Sequence, residues 1–297
     1  MSFVSVTDYL ALPRAPEEWI IQDLLPAGGL MNIYGRPKTG KSFLALQMAA
    51  AVSDPHCHEL LGYPIYAHGP VAYLQVDTAR GTWAKRLHEN FLEAGVRCPQ
   101  LFLADAGTAP YPFNILNEGR VWLKHACAEL KPCLVVIDTI REVHRGDEND
   151  SGHLQAAVSS LVEASAPAAL IILSHSRKNK GDDVSGDDLM AENRGSNYLA
   201  GRADCILRVS SDSRIDFQGR SVDRTQLAVS RDSFGRFTAL DPVGPVVDKI
   251  LDEMPGGRYS EKQQAEAVRA HLPSLTFDQA RGQVRRRKTK RRTAERP

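Results

Sequence analysis

The 297-residue sequence predicts an α/β fold, a mostly parallel central sheet flanked by helices, on three observations. Apolar runs recur at 30–34, 71–76, 101–103, 133–137, 169–173 and 205–209; they are continuous rather than alternating, the mark of strands covered on both faces. Helical patterns lie between them at 82–94, 118–130 and 152–164, the last with Leu154, Val158, Leu161 and Val162 at helical spacing. A glycine-rich loop joins the first run to a stretch of strong helix formers at 42–52.

That loop reads Gly35-x-x-x-x-Gly40-Lys41-Ser42, the P-loop spacing. The loop Gly35, Arg36, Pro37, Lys38, Thr39, Gly40, Lys41, Ser42 and Phe43 is predicted to cradle phosphates with its backbone N–H groups, which Pro37 alone lacks, Lys41 to reach their terminal oxygens, and the Ser42 hydroxyl to ligate magnesium. The strand before it and the helix after it supply the context the motif needs, with the anion on the helix N-terminus. A nucleotide and Mg2+ are the expected ligands of the loop.

Ligands of open parallel sheets gather at the carboxyl ends of the strands, so the residue that ends each run is informative. The run Leu134-Val135-Val136-Ile137 ends in Asp138, a carboxylate placed to hold magnesium together with Ser42. The run at 71–76 ends next to Asp77, expected to orient or deprotonate the attacking water. Ser174-His175 closes the run at 169–173, and His175 is expected to contact the γ-phosphate and report its loss. A final pair of segments, 226–230 and 236–240, flanks Arg231-Asp232-Ser233-Phe234-Gly235 and reads as a hairpin.

With 42% hydrophobic residues, the chain can build a full core, which excludes disorder throughout. Its net charge is only +1, but residues 281–297 hold nine basic side chains against Glu295, a net +8 that leaves the preceding residues at −7. Short helices at 246–254, 260–271 and 276–290 suggest a small helix-turn-helix-like unit, with Arg285, Arg286, Arg287 and Lys288 as candidate nucleic-acid contacts. No apolar run is long enough to span a membrane and the first residues lack a signal-peptide pattern, so a soluble, cytoplasmic protein is expected. Five scattered cysteines without a C-x-x-C pair argue against a disulfide framework or zinc ribbon.

In order, the loop Gly35 to Ser42, Asp77 with Arg80-Gly81-Thr82-Trp83, Val135-Val136-Ile137-Asp138-Thr139, Asp147 to Asp150, Ser174 to Lys178, and Arg194 to Gly201 resemble the RecA-like ATPases of the plasmid replication helicase RepA type, relatives of DnaB. The likeness spans about residues 15–240 and implies a RecA-like ATPase domain at 28–242, preceded by a lead-in segment at 1–27 and followed by the basic helical region at 243–297. It implies a DNA helicase of plasmid or phage replication, a homo-oligomer usually hexameric, with ATP between neighbouring subunits, single-stranded DNA in the channel, and a replication initiator or primase as partner. Lys41, Asp138 and His175 would take the roles given above, and Arg231 would serve the neighbouring subunit's nucleotide, with Arg236 and Arg194 as alternates. Loops at 144–152 and 177–197 match the DNA-contacting loops, with Arg177, Lys178 and Lys180 as candidate contacts. The family's water-activating glutamate is here Asp77, shorter by one methylene. That departure keeps open an alternative, an ATP-switched DNA-binding protein without helicase activity.

Overall fold

A computed structural model describes residues 4–11, 18–144, 151–175, 197–211, 213–220, 224–240, 244–255, 257–271 and 277–294. The chain opens with a short helix α1 (Val6–Ala11) and a small hairpin, β1 (Trp19–Ile21) and β2 (Leu25–Pro26), whose Ile20, Ile21, Leu24 and Leu25 are buried in the main core. The central strands follow: β3 (Leu30–Gly35), then, after helix α2 (Lys41–Ser53) and a second small hairpin β4 (Glu59–Leu60) and β5 (Tyr63–Pro64), β6 (Val71–Gln75). Helix α3 (Arg80–Leu87) runs on as a π-helical turn (His88–Glu93) into β7 (Leu101–Asp105); α4 (Glu118–Leu130), β8 (Leu134–Asp138), α5 (Ile140–Val143), α6 (Ser151–Ser165) and β9 (Ala169–His175) come next. After α7 (Asn197–Arg202) the chain ends the sheet with β10 (Cys205–Val209), β11 (Arg214–Gly219), β12 (Thr225–Arg231) and β13 (Phe237–Leu240).

These strands form one nine-stranded sheet in the order β13-β12-β11-β10-β3-β9-β8-β6-β7. The six from β10 to β7 are parallel and the three at the other edge antiparallel. Two apolar clusters cover the two faces, one around α2 and one around α4, α5, α6 and α7, which is why β3, β8 and most of β9 read as unbroken apolar runs. Strand β11 is different: Ile215 and Phe217 alternate with Arg214, Asp216 and Gln218. Asp216 is nonetheless fully buried, and is held there by Arg208 Nη2 at 2.8 Å and Gln226 Nε2 at 2.8 Å.

Beyond the sheet, α8 (Gly244–Glu253), α9 (Glu261–His271) and α10 (Phe277–Ala294) form a three-helix unit around Val247, Ile250, Leu251, Ala265, Val268, Ala280 and Val284. Ser260 and Gln263 close a reciprocal capping box at the start of α9: the Gln263 N–H donates to Ser260 Oγ at 3.3 Å, and the Ser260 N–H to Gln263 Oε1 at 2.9 Å. No helix among the described residues is long and apolar enough to cross a membrane. All five cysteines are free thiols.

Arg286 fastens this unit to the main domain. Its guanidinium is buried, donates to Asp23 Oδ2 at 3.4 Å and lies over the Tyr63 ring at 4.6 Å. Burial raises the Asp23 carboxyl above the usual carboxylate range, against the opposing pull of Arg286 and Arg285. Arg286→Ala therefore leaves a half-buried carboxylate without its cation, and is expected to lower stability by about 2 kcal/mol. Urea unfolding of the two chains measures it.

Candidate active site at the carboxyl edge of the sheet

Sheet register brings the predicted strand-end residues to one edge. Gly35, where β3 passes into the P-loop, is the register partner of His175 at the end of β9, and Gln75 at the end of β6 is that of Asp138 at the end of β8. The order β3-β9-β8-β6 thus sets the loop, His175, Asp138 and the approach to Asp77 side by side. Gly35 admits no side chain, since a Cβ there would stand 2.4 Å from the carbonyl oxygen of Val209. Gly40, with φ of 102°, caps α2 in the left-handed region that glycine tolerates.

Lys41 is 5% exposed, and its Nζ donates to the carbonyls of Gly35 and Arg36, each at 3.0 Å, with His175 Nδ1 at 3.3 Å. Burial lowers its ammonium to about 8, against the pull of Asp138 and Asp77. A bound polyphosphate adds negative charge and so raises that pKa. The resulting gain in affinity is full below about pH 8 and is lost as pH rises through the bound-state value. Nucleotide affinity is therefore expected to fall above about pH 8, with proton uptake on binding at about pH 9. Calorimetry in buffers of different ionisation enthalpy measures that uptake, and Lys41→Met should remove it.

Ser42 lies close enough to the Asp138 carboxylate to favour its charged form, and that carboxylate accepts from the Tyr73 hydroxyl at 2.8 Å. Burial raises the Asp138 pKa, and nearby Ser42 and the Tyr73 hydroxyl oppose it. Burial also holds the Tyr73 phenol well above its ordinary value, so it stays a donor. Among the described residues no group of three or more His, Cys, Asp or Glu side chains is placed to hold a metal ion alone. One hydroxyl and one carboxylate converging on a phosphate loop instead match magnesium, which takes one or two protein oxygens and completes its shell with phosphate and water. Asp77 is exposed and lies in a bend two residues past β6, near enough to influence the charge of both Lys41 and Asp138.

Arg231 ends β12 beside its own P-loop. Its guanidinium lies over the Phe43 ring at 4.4 Å and its Nε donates to the Gly235 carbonyl at 3.3 Å; a Cβ on Gly40 would stand 3.2 Å from its Nη1. A second cation, Arg86 of α3, also lies over the Phe43 ring, 5.0 Å from its centroid and 5.7 Å from that of Trp83. Burial first, and then Arg86, hold the Arg231 pKa below its usual value. Neither guanidinium makes an ion pair among the described residues, so two like charges are gathered next to a phosphate loop. Arg86 was not among the predicted site residues. Its signal was Trp83 three positions earlier: Trp83 is buried and stacked on Tyr73 at 5.5 Å, which turns that face of α3 toward the loop.

A cavity of about 580 Å³ opens from Phe43 and Arg231 between the hairpin turn and the π-helical turn, lined also by Glu89, Asn90, Glu93 and Phe234. Arg177, Lys178, Lys180 and the alternate Arg194 lie outside the described residues, as do most of both predicted DNA-contacting loops. In the tail, Arg281 and Arg285 both donate to Glu261 Oε1, at 2.6 and 2.9 Å, Arg287 pairs with Asp248 at 3.3 Å, and Arg286 with Asp23. The basic residues of α10 up to Arg287 are thus engaged within the chain. Lys288 is half-buried.

Among solved structures, the chain is similar to one titled "ATPase Domain of G40P", with a TM-score of 0.53 at 15% identity over 72% of this chain and 85% of that one. This likeness establishes the RecA-like fold. Residues 1–181 match the family described as the AAA domain, and since the match takes in well over half of the sequence, the chain belongs to that family of P-loop ATPases.

Proposed function

We propose that the protein is a magnesium-dependent ATPase that couples hydrolysis to movement along, or unwinding of, DNA, as a homo-oligomeric ring in the replication of a plasmid or phage. The observation that carries the ATPase reading is the meeting of Ser42 from α2 and Asp138 from β8 at the phosphate loop. The DNA reading rests on the ordered motifs that resemble the RepA and DnaB group, and on the likeness to the ATPase domain of G40P.

In this reading Lys41 binds the terminal phosphates, and Arg86 and Arg231 offset the charge that develops on the transferred phosphoryl group. Ser42 and Asp138 would hold a magnesium ion, whose charge would offset that of the phosphates. Asp77 orients the attacking water and accepts its proton, while His175, hydrogen-bonded to the Lys41 amine, senses the terminal phosphate and passes its loss along β9.

A second reading, an ATP-switched DNA-binding protein, is favoured by one observation. Asp77 stands where the related ATPases carry glutamate, and a carboxylate displaced by about an ångström costs on the order of a hundredfold in rate. ATP hydrolysis with and without single-stranded DNA, measured on the wild type and on Asp77→Glu and paired with strand displacement from a forked duplex, separates the two. A motor shows DNA-stimulated hydrolysis and displacement. A switch shows ATP-dependent DNA binding without displacement, and hydrolysis indifferent to DNA would remove DNA from the account.

A further inference from the structure

The hairpin that carries Arg231 is tied to the P-loop helix by one side chain outside the phosphate loop. Gln47 of α2 donates from Nε2 to the Phe237 carbonyl at 2.8 Å, and accepts from the Phe237 N–H at Oε1, also at 2.8 Å. Phe237 begins β13, the outermost strand of the sheet, so its outward N–H and C=O would otherwise face solvent as edge groups. One amide group satisfies both, as a further strand would.

Phe237 is the register partner of Arg231 across the hairpin. Backbone partners in an antiparallel pair stand about 5 Å apart, so fixing Phe237 on α2 fixes where the Arg231 side chain begins. Packing reinforces the same contact: a Cβ on Gly40 would stand 2.8 Å from the Phe237 ring, and one on Gly235 would stand 2.4 Å from the Phe43 ring. The hairpin closes on the P-loop helix because both positions are glycine. The chain of contacts therefore runs from Gln47 to Phe237, across the ladder to Arg231, and from its guanidinium to Phe43 and Gly40.

We propose that Gln47 is a positioning residue for hydrolysis, acting through Arg231: its two hydrogen bonds to Phe237 hold the Arg231 guanidinium at the place where it meets the transferred phosphoryl group. The inference rests on the ATPase reading above. It holds whether the nucleotide served belongs to the same chain or to a neighbour, because the clamp sets the position of the strand from which the arginine extends.

The test is a cycle of four chains, wild type, Gln47→Leu, Arg231→Ala and the double variant, compared in steady-state and single-turnover ATP hydrolysis. Gln47→Leu is expected to lower kcat about tenfold while the KM for ATP stays within about twofold, since the loss falls on the transition state. In the Arg231→Ala background the same change is expected to have almost no further effect, because both substitutions remove one contribution. A kcat unchanged by Gln47→Leu, or losses that multiply in the double variant, would overturn the proposal. If Gln47→Leu folds poorly by thermal melting, Gln47→Glu keeps the bond from the Phe237 N–H and loses the other; its smaller loss of kcat should likewise vanish in the Arg231→Ala background. A wild type that does not hydrolyse ATP, or a Lys41→Ala chain that still does, would instead sink the ATPase reading itself.

Discussion

Lys41→Ala is expected to abolish measurable ATP hydrolysis and to weaken nucleotide binding by about a hundredfold. In the free chain the Lys41 amine sits almost fully buried between the Gly35 and Arg36 carbonyls, so it is held in the loop before any phosphate arrives. Each hydrogen bond between a charged donor and phosphate is worth about 1.5–3 kcal/mol, and the lysine offers three donors, so two such bonds alone account for about two orders of magnitude in affinity. Hydrolysis suffers more, because negative charge gathers on the phosphate oxygens in the transition state. Equilibrium binding of a fluorescent ATP analogue, run beside an ATPase assay, measures both losses. Binding within threefold of the wild type would show that the phosphates lie elsewhere.

Arg231→Ala should have a different signature, with kcat lowered on the order of a thousandfold while ATP binding changes little. Its guanidinium, stacked on Phe43 and partly desolvated, is a preformed positive charge at the mouth of the loop, and burial together with nearby Arg86 disfavours that charge until an anion arrives. Such an arrangement contributes most when charge on the phosphoryl group is greatest, which is the transition state. Single-turnover rates with saturating ATP give the size of the loss. A variant that hydrolyses normally in its native assembly would return Arg231 to a packing role on Phe43 and Phe237.

Much of the fold was legible because buried parallel strands cannot alternate. Each of the six apolar runs became a parallel strand, and the helix read at 118–130 became α4 with the same bounds. The run at 101–103, however, is the edge strand β7, where Phe102 and Leu103 are exposed because no further strand or helix among the described residues covers them. The two segments read as a hairpin became β12 and β13. Strand β11 escaped notice because its alternation of Ile215 and Phe217 with Arg214, Asp216 and Gln218 is the mark of an antiparallel strand, and continuous runs were the signal being read. The strand-end residues of the site could be placed from pattern alone, since topology forces them to one edge.

What sequence could not supply was pairing across long separations. Arg86 becomes interesting only when Phe43, from the P-loop helix, lies beneath it. Gln47 is an ordinary helix residue until Phe237, 190 positions away, lies against it. The tail shows the converse case. Its arginines read as a phosphate-binding run by count, yet Glu261, Asp248 and Asp23 take up Arg281, Arg285, Arg287 and Arg286 in turn. Net charge along a sequence says nothing of which charges are already satisfied within the chain.

The account depends on one cation joining the Ser42 hydroxyl, the Asp138 carboxylate and the nucleotide. Electron paramagnetic resonance of Mn2+, titrated with and without ATP into the wild type, Ser42→Ala and Asp138→Asn, measures that junction. The expected result is a single Mn2+ bound per chain only when ATP is present, with affinity lowered at least about tenfold in each variant. Equal Mn2+ binding by all three chains, or binding that ignores ATP, would contradict it.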